Sequence, residues 1–410
     1  MLAEKKIRGY IFWSFVCLFV YALLVELPKA KIPVSASNFF ILLYVSIACL
    51  VILMVKTSWK TEIPRSALLF FNLLLLCHLV AFVRGMFTAK GYFDWKNILT
   101  DSSGGLSLFI LLALVAGVNF LAGKRLTKLL INLLLFSFVL IPIFMNVSDE
   151  SYARIVVSVM FLIFFIPYYR SKQRLIILAV AVFSSYIALT LRTNIVHIAI
   201  SIIILGIYYF KTMIPSRALL VVQVALFILP IPFLIQGING NSIFAKNEDT
   251  EVMVAGKEGE ENLTADTRTG LYEEVLSDLY DSGDIWLGRG SNGKYKTEYD
   301  WGLLEELGNE RPNVEVGFLK ILIQTGVLGL LLYLVLLIIA VYYGNIRSNN
   351  SFTKMLATFL ATHWAMLFVE NSNDYGIYYY LTWLVTGICL SKDFRSLTDQ
   401  QIKDWLRYSR

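Results

Sequence analysis

Long apolar runs separated by short polar punctuation organise this chain. A membrane-crossing helix needs about 20 mainly apolar residues. Runs of that kind occupy 8–27, 38–56, 66–84, 104–122, 126–146, 153–169, 174–191, 193–210, 217–236, 315–343, 353–371 and 374–391. The run at 315–343 is long enough to tilt or to begin outside a bilayer. The pattern breaks once, over the hydrophilic residues 237–314. Within them Leu271, Val275 and Leu279 recur at helical spacing behind a candidate cap at Asp266 or Thr267, with Glu273 and Glu274 early in the predicted helix. Trp301, Leu304 and Leu307 suggest a second short helix. The stretch from Lys246 to Glu261 is acidic, nearly free of aromatics and expected to be mobile.

The predicted fold class is therefore an all-α polytopic membrane protein. It has about twelve transmembrane helices: nine in 1–236 and three in 315–391, with one large helical loop over 237–314 and a tail over 392–410. Composition agrees. Apolar residues make up 57% and charged residues 16%, against roughly 25% charged in an ordinary globular chain. Mean hydropathy is +0.65. A soluble core cannot hide that much apolar surface, which excludes a cytosolic enzyme, a secreted disulfide scaffold and a nucleic-acid-binding domain as readings of the whole chain. The first run follows Lys5, Lys6 and Arg8 without a small-residue cleavage site, so it reads as a retained anchor.

Charge sets the expected orientation. With the N-terminus inside, the inside segments hold 21 of the 36 basic residues and the short outside loops hold seven. Cytoplasmic loops keep Lys and Arg, so both termini are expected in the cytoplasm and 237–314 outside. That loop, counted through Glu315, carries 18 of the 30 acidic residues. Cys17, Cys49, Cys77 and Cys389 all fall in apolar runs and read as small hydrophobes. His78, His197 and His363 also lie inside predicted spans, with no second histidine at ligand spacing. They read as helix–helix hydrogen-bonding residues, His197 being the one near a helix end that also carries Arg192.

Gly288 to Gly293 spells GxGxxG. The dinucleotide-binding version closes a strand and opens a helix, and neither flank suits that. A tight turn offering backbone N–H groups to an anion beside Arg289 and Lys294 fits better. Arg192 sits between two apolar runs with almost no loop, where a cation costs about 2.5–3.5 kcal/mol on insertion scales. It is either a snorkelling interfacial residue or an anion-binding arginine at a cavity mouth, with Arg268 as its counterpart in the loop. Glu315, where loop meets span, is either a solvated helix-start residue or a general base. Glu370, Asn371, Asn373 and Asp374 form another polar group at a span end, either a cavity lining or a polar turn.

Together these features resemble the O-antigen polymerase and O-antigen ligase superfamily of bacterial inner membranes. Leu191-Arg192-Thr193 looks like the family's Ser-Arg-Gly/Thr signature, with Leu in place of Ser. Arg268, Tyr272, Trp286 and the glycine turn are similar to its loop signature. Glu315 to Gly329 looks like its final signature, except that Glu315 and Val316 stand where ligases and many polymerases place His and Asn.

The resemblance implies a polysaccharide polymerase, an inverting and metal-independent glycosyltransferase. Its substrates are undecaprenyl-diphosphate-linked oligosaccharide repeat units, as donor and acceptor, at the outer face of the inner membrane. Arg192 and Arg268 are the expected diphosphate ligands and Glu315 the expected base. Arg289, Lys294, His197, Tyr272 and Asn313 are expected substrate contacts. Membrane lipids and a chain-length regulator are expected partners, with no nucleic acid and no cofactor. Transfer to lipid A core by a ligase, and glycolipid movement by a flippase or transporter, are the alternatives; the absence of an internal repeat speaks against a symmetric transporter.

Overall fold

The structure is a computed structural model that describes residues 2–26, 39–123, 163–187, 192–209, 216–238, 253–256, 259–262, 269–297, 310–312 and 314–407. The predicted span 126–146, most of 153–169, the Trp301–Leu307 helix, Arg268 and Asn313 lie outside the described residues. The chain is predominantly helical. The helices are α1 (Leu2–Glu26), α2 (Ile41–Lys56), α3 (Arg65–Thr88), α4 (Tyr92–Thr100), α5 (Ala113–Val118), α6 (Ser171–Ile187) and α7 (Arg192–Tyr209). They continue as α8 (Ser216–Ile228), α9 (Pro230–Ile238), α10 (Thr269–Asp281), α11 (Gly317–Ile346), α12 (Ser351–Met366), α13 (Ile377–Leu390) and α14 (Asp399–Arg407).

Among the described residues, five helical stretches are long and apolar enough to cross a membrane: Lys5–Val25, Arg65–Thr88, Tyr92–Val118, Ser216–Gln236 and Gly317–Ile346. Shorter apolar helices accompany them at Ile41–Lys56, Ile198–Tyr209 and Ile377–Leu390.

α3 shows why such helices belong in lipid. Ala67, Phe71, Leu74, His78, Ala81 and Gly85 form its buried face. Leu69, Leu73, Leu76, Val80 and Val83 repeat the same spacing on the opposite, exposed face. A soluble helix would place charge there; this one is apolar on both sides. α12 and α13 sit at the centre of the bundle and are buried along almost their whole length. Their Thr and Gly residues allow close crossing. The tightest crossing sets Gly117 of α5 against Gly387 of α13, where a Cβ on either would overlap the other's backbone.

Three elements depart from the apolar pattern. The run 104–122 is not one regular helix: Gly105–Leu112 winds as a 3₁₀ helix and hands over to α5. The run 217–236 divides into α8 and α9 at Pro230, which has no N–H to continue the ladder. Within 246–261, expected to be mobile, β1 (Met253–Gly256) pairs antiparallel with β2 (Gly259–Asn262), Met253 opposite Asn262. A second two-stranded pairing joins β3 (Tyr295–Lys296) to β4 (Glu310–Arg311). The all-helical expectation for the loop is corrected to this extent.

The most consequential feature is the break in α11. Gly326 has φ +67° and ψ −171°, dividing the helix into an entry segment and a longer one. A break strands carbonyls on one side and N–H groups on the other, which a low-dielectric setting makes costly. The loop supplies the partners. Arg289 N–H donates to Ile323 O (2.6 Å) and Gly290 N–H to Gln324 O (3.1 Å). In return, Val327 N–H donates to Ile285 O (2.9 Å) and Leu328 N–H to Trp286 O (3.2 Å). Ser291 N–H reaches across to Ala81 O of α3 at 2.9 Å. The turn is thereby stitched into two helices.

Gly290, at φ +85°, comes so close that a Cβ would lie 2.8 Å from Ala81 O and Gly85 N. A Cβ on Gly326 would overlap the Trp286 carbonyl. Gly283 shares the positive φ (+76°) but has open space around it. Gly283→Ala should therefore cost only the left-handed backbone penalty, about 1–2 kcal/mol. Gly290→Ala and Gly326→Ala should cost distinctly more, because backbone must move as well. Thermal unfolding of the purified protein in detergent checks the order; equal losses at all three positions would mean that the stitch is not tight.

Candidate functional site

The site is built around the first turn of α11, where Glu315 leads into the helix. Gly317 N–H donates to Glu370 O (3.0 Å) and Phe318 N–H to Leu367 O (2.9 Å), so two of the helix's orphan donors are met by the chain leaving α12. The Asn373 amide closes the arrangement by donating to Gly317 O at 2.9 Å. Residues 315–320 and 370–374 thus form one polar cluster at one end of the bundle.

α10 lies over this end. The helical spacing anticipated for it holds: Leu271, Val275 and Leu279 are buried together with Tyr272. The Tyr272 hydroxyl donates to Phe368 O at 2.5 Å. Its ring stacks on Phe318, which stacks in turn on Phe368 with centroids 4.3 Å apart. Tyr272 therefore fastens the loop to the bundle.

Glu315 is half exposed, with a side chain 49% accessible, and accepts from Arg311 Nη2 at 3.1 Å. Arg311 is held by the β3–β4 pairing opposite Tyr295. Burial pushes the Tyr295 phenol up, so it stays protonated.

Arg289 and Lys294 do not form the expected anion site. Arg289 Nε donates to Asp284 (3.0 Å), Nη1 to Asp278 (2.5 Å) and to Lys294 O (2.6 Å), and Nη2 to Asp278 O (2.9 Å) and Ser282 (2.8 Å). A guanidinium has five N–H donors, and all five are engaged. Burial alone would raise the Asp278 carboxyl, but the Arg289 guanidinium and Lys296 N–H outweigh it and hold that carboxyl below its ordinary value. Lys294 pairs with Asp94 at 3.0 Å. The turn's own N–H groups are taken as well, those of Arg289, Gly290, Ser291 and Gly293 all donating to backbone carbonyls. The dinucleotide reading also fails on context. Residues 282–287 form turns and β3 follows the glycines, with no helix there to receive a phosphate.

Arg192 opens α7. The other end of α7, at Ile204 to Tyr208, borders Ser351 and Lys354 at the start of α12. Since α7 packs along α12, the backbone of Arg192 stands toward the end where α11 begins. His197 follows one turn deeper; the side chains of both lie outside the described residues. Of the other histidines, His78 hydrogen-bonds Leu108 O (2.7 Å) and His363 Nε2 bonds the Tyr333 hydroxyl (2.8 Å), as expected of helix–helix hydrogen-bonding residues.

One residue was overlooked in the sequence. Lys320 is buried within the first turns of α11, its side chain 5% accessible. Its ammonium donates to Asp374 at 2.6 Å and to Asn373 O at 3.4 Å. The signal was present in Phe318-Leu319-Lys320-Ile321-Leu322, since a cation inside an apolar run demands a partner.

Comparison with protein-family models, with curated proteins and with solved structures found no match.

The Lys320–Asp374 pair is asymmetric, since the carboxylate is 38% accessible and the ammonium is not. Asp374→Asn leaves a cation buried without its counter-charge, whereas Lys320→Met leaves a carboxylate that water reaches. Asp374→Asn should lower the unfolding midpoint further, by the equivalent of roughly 3 kcal/mol. Lys320→Met/Asp374→Asn together should recover part of that loss. Thermal unfolding of the three variants decides; a larger loss for Lys320→Met would refute the asymmetry.

Proposed function

We propose that this chain is a membrane-embedded, inverting glycosyltransferase that polymerises undecaprenyl-diphosphate-linked oligosaccharide repeat units on the outer side of the bacterial inner membrane. The observation that carries the reading is Glu315, an accessible carboxylate fixed between the loop and a broken helix. It lies at the bundle end toward which Arg192 opens α7. The resemblance of residues 187–329 to the O-antigen polymerase and ligase signatures supports the same assignment.

In this mechanism the acceptor sugar hydroxyl gives its proton to Glu315 while its oxygen attacks the anomeric carbon of the donor. The bond from that carbon to the lipid diphosphate breaks, and the electron pair leaves with the diphosphate. Arg192 and Arg268 meet the charge that gathers on it. Arginine forks suit phosphate oxygens, and fixed charges act strongly where water is scarce. Attack opposite the leaving group inverts the anomeric configuration. Tyr272 positions α10, and Arg268 directly precedes that helix.

The test is polymer formation by the purified protein from an undecaprenyl-diphosphate-linked repeat unit, resolved by product length. Glu315→Gln should reduce turnover about 10²–10⁴-fold, the usual worth of a positioned base, and Glu315→His should retain more activity than Gln. Arg192→Ala and Arg268→Ala should each reduce turnover about 10²-fold or more. Full activity in Glu315→Gln would place proton removal elsewhere. Product lengths unchanged by both arginine substitutions would end the diphosphate role. Transfer only to lipid A core would make the protein a ligase, and lipid movement without glycosidic bond formation a flippase.

A further inference from the structure

The end of the bundle opposite Glu315 holds a cleft between α7, α8 and α12. Its rim is polar, formed by Lys354, Ser216 and Ser351, and its walls are mostly apolar, with Ile204, Ile207 and Leu219 beside Tyr208 and Thr358. Lys354 Nζ donates to Ser216 Oγ at 3.0 Å, and among the described residues no carboxylate forms an ion pair with it. The acid at this rim, Asp399, accepts instead from Ser351 N–H (2.8 Å), Ser351 Oγ (2.9 Å) and the Tyr168 hydroxyl (2.9 Å).

The order of these groups along the helices matters. Ser216 and Ser351 are the first residues of α8 and α12, so they stand at the rim with Lys354 in the first turn. Ile204 lies more than a turn back from the end of α7, and Leu219 one turn into α8, so the apolar walls run inward from the cation. The two helices that wall the cleft are also apolar on their exposed surfaces, at Val221, Val222 and Val224 of α8 and Ile202 and Ile203 of α7, as helices in contact with acyl chains are. Two further cations, Arg217 and Arg347, are exposed at the same end of the bundle.

We infer that this cleft binds an anionic glycerophospholipid, its phosphate on Lys354 and the Ser216 hydroxyl and one acyl chain along Ile204, Ile207 and Leu219. Charge complementarity names the occupant: a cation that no carboxylate pairs among the described residues, at the end of a largely apolar cleft between apolar helices. Basic pockets between transmembrane helices bind acidic lipid headgroups on the same logic. The inference is independent of the glycosyltransferase reading.

The test titrates the detergent-purified protein with phosphatidylglycerol, phosphatidylcholine or inorganic phosphate, following thermal stabilisation and counting bound lipid by native mass spectrometry. Phosphatidylglycerol should bind and stabilise the wild type, and the other two should not. Lys354→Gln should weaken phosphatidylglycerol binding about fivefold, the worth of one lysine at a membrane surface, and Ile207→Trp should block it by filling the channel. Lys60→Gln removes an exposed cation outside the cleft and should leave binding unchanged. Equal binding of phosphatidylcholine, or equal loss from Lys60→Gln and Lys354→Gln, would overturn the inference in favour of non-specific surface attraction. Stabilisation by inorganic phosphate alone would overturn it in favour of a simple anion site. Should Lys354→Gln fail to fold, Ile207→Trp decides: undiminished phosphatidylglycerol binding in that variant refutes the site.

Discussion

An apolar surrounding does not forgive an unpaired peptide group, and the architecture at the loop end of this bundle follows from that constraint. Breaking α11 at Gly326 would leave two carbonyls and two N–H groups without partners. The turn at 285–290 supplies all four complements, so loop and helix each complete the other. The exchange fixes the glycine turn against α3 and α11. α10 is fixed separately, by Tyr272 on Phe368 and Phe318 and by Arg289 on Asp278. Glu315 and Arg311 inherit their positions from this frame. A carboxylate on a loop anchored this way is held by helices, as a group that must meet a substrate in a defined geometry requires.

The bundle's two ends carry different chemistry. At one, acidic and amide groups gather around the start of α11, with Lys320 buried among them and Glu315 open to solvent. At the other, Lys354 stands at the rim of a cleft whose walls are mostly apolar. Between them the interior is filled by α12 and α13: His363 bonds the Tyr333 hydroxyl of α11 and the Tyr378 hydroxyl of α13, while Thr382 and Thr386 donate to carbonyls of their own helix. Nothing in that division requires the two ends to communicate. It does separate the site proposed for glycosyl transfer from the cleft proposed for lipid.

Much of this was legible in the sequence where one periodicity decided the outcome. The apolar run at 66–84, which is α3, and the Leu271, Val275, Leu279 spacing of α10 carried over directly. What failed depended on partners far away in the chain. The glycine turn presented N–H groups suited to an anion, but their acceptors are the carbonyls of Ala81, Ile323 and Gln324, which no local reading supplies. Arg289 looked available because its partner Asp278 lies eleven residues earlier, across a helix and a turn. The irregular winding of 105–118 accompanies the contact between Gly117 and Gly387, two glycines 270 residues apart. Lys320 was different: its partner was unknowable, but its cost was visible in the apolar letters around it.

The site proposed at the start of α11 joins a base to a pair of diphosphate-binding arginines. The most direct measurement is an experimental structure with a non-hydrolysable undecaprenyl-diphosphate oligosaccharide bound. It should show diphosphate oxygens within hydrogen-bonding distance of both Arg192 and Arg268, and the first sugar's anomeric carbon facing Glu315. Diphosphate held away from either arginine, or a donor sugar whose open face is turned from Glu315, would contradict it.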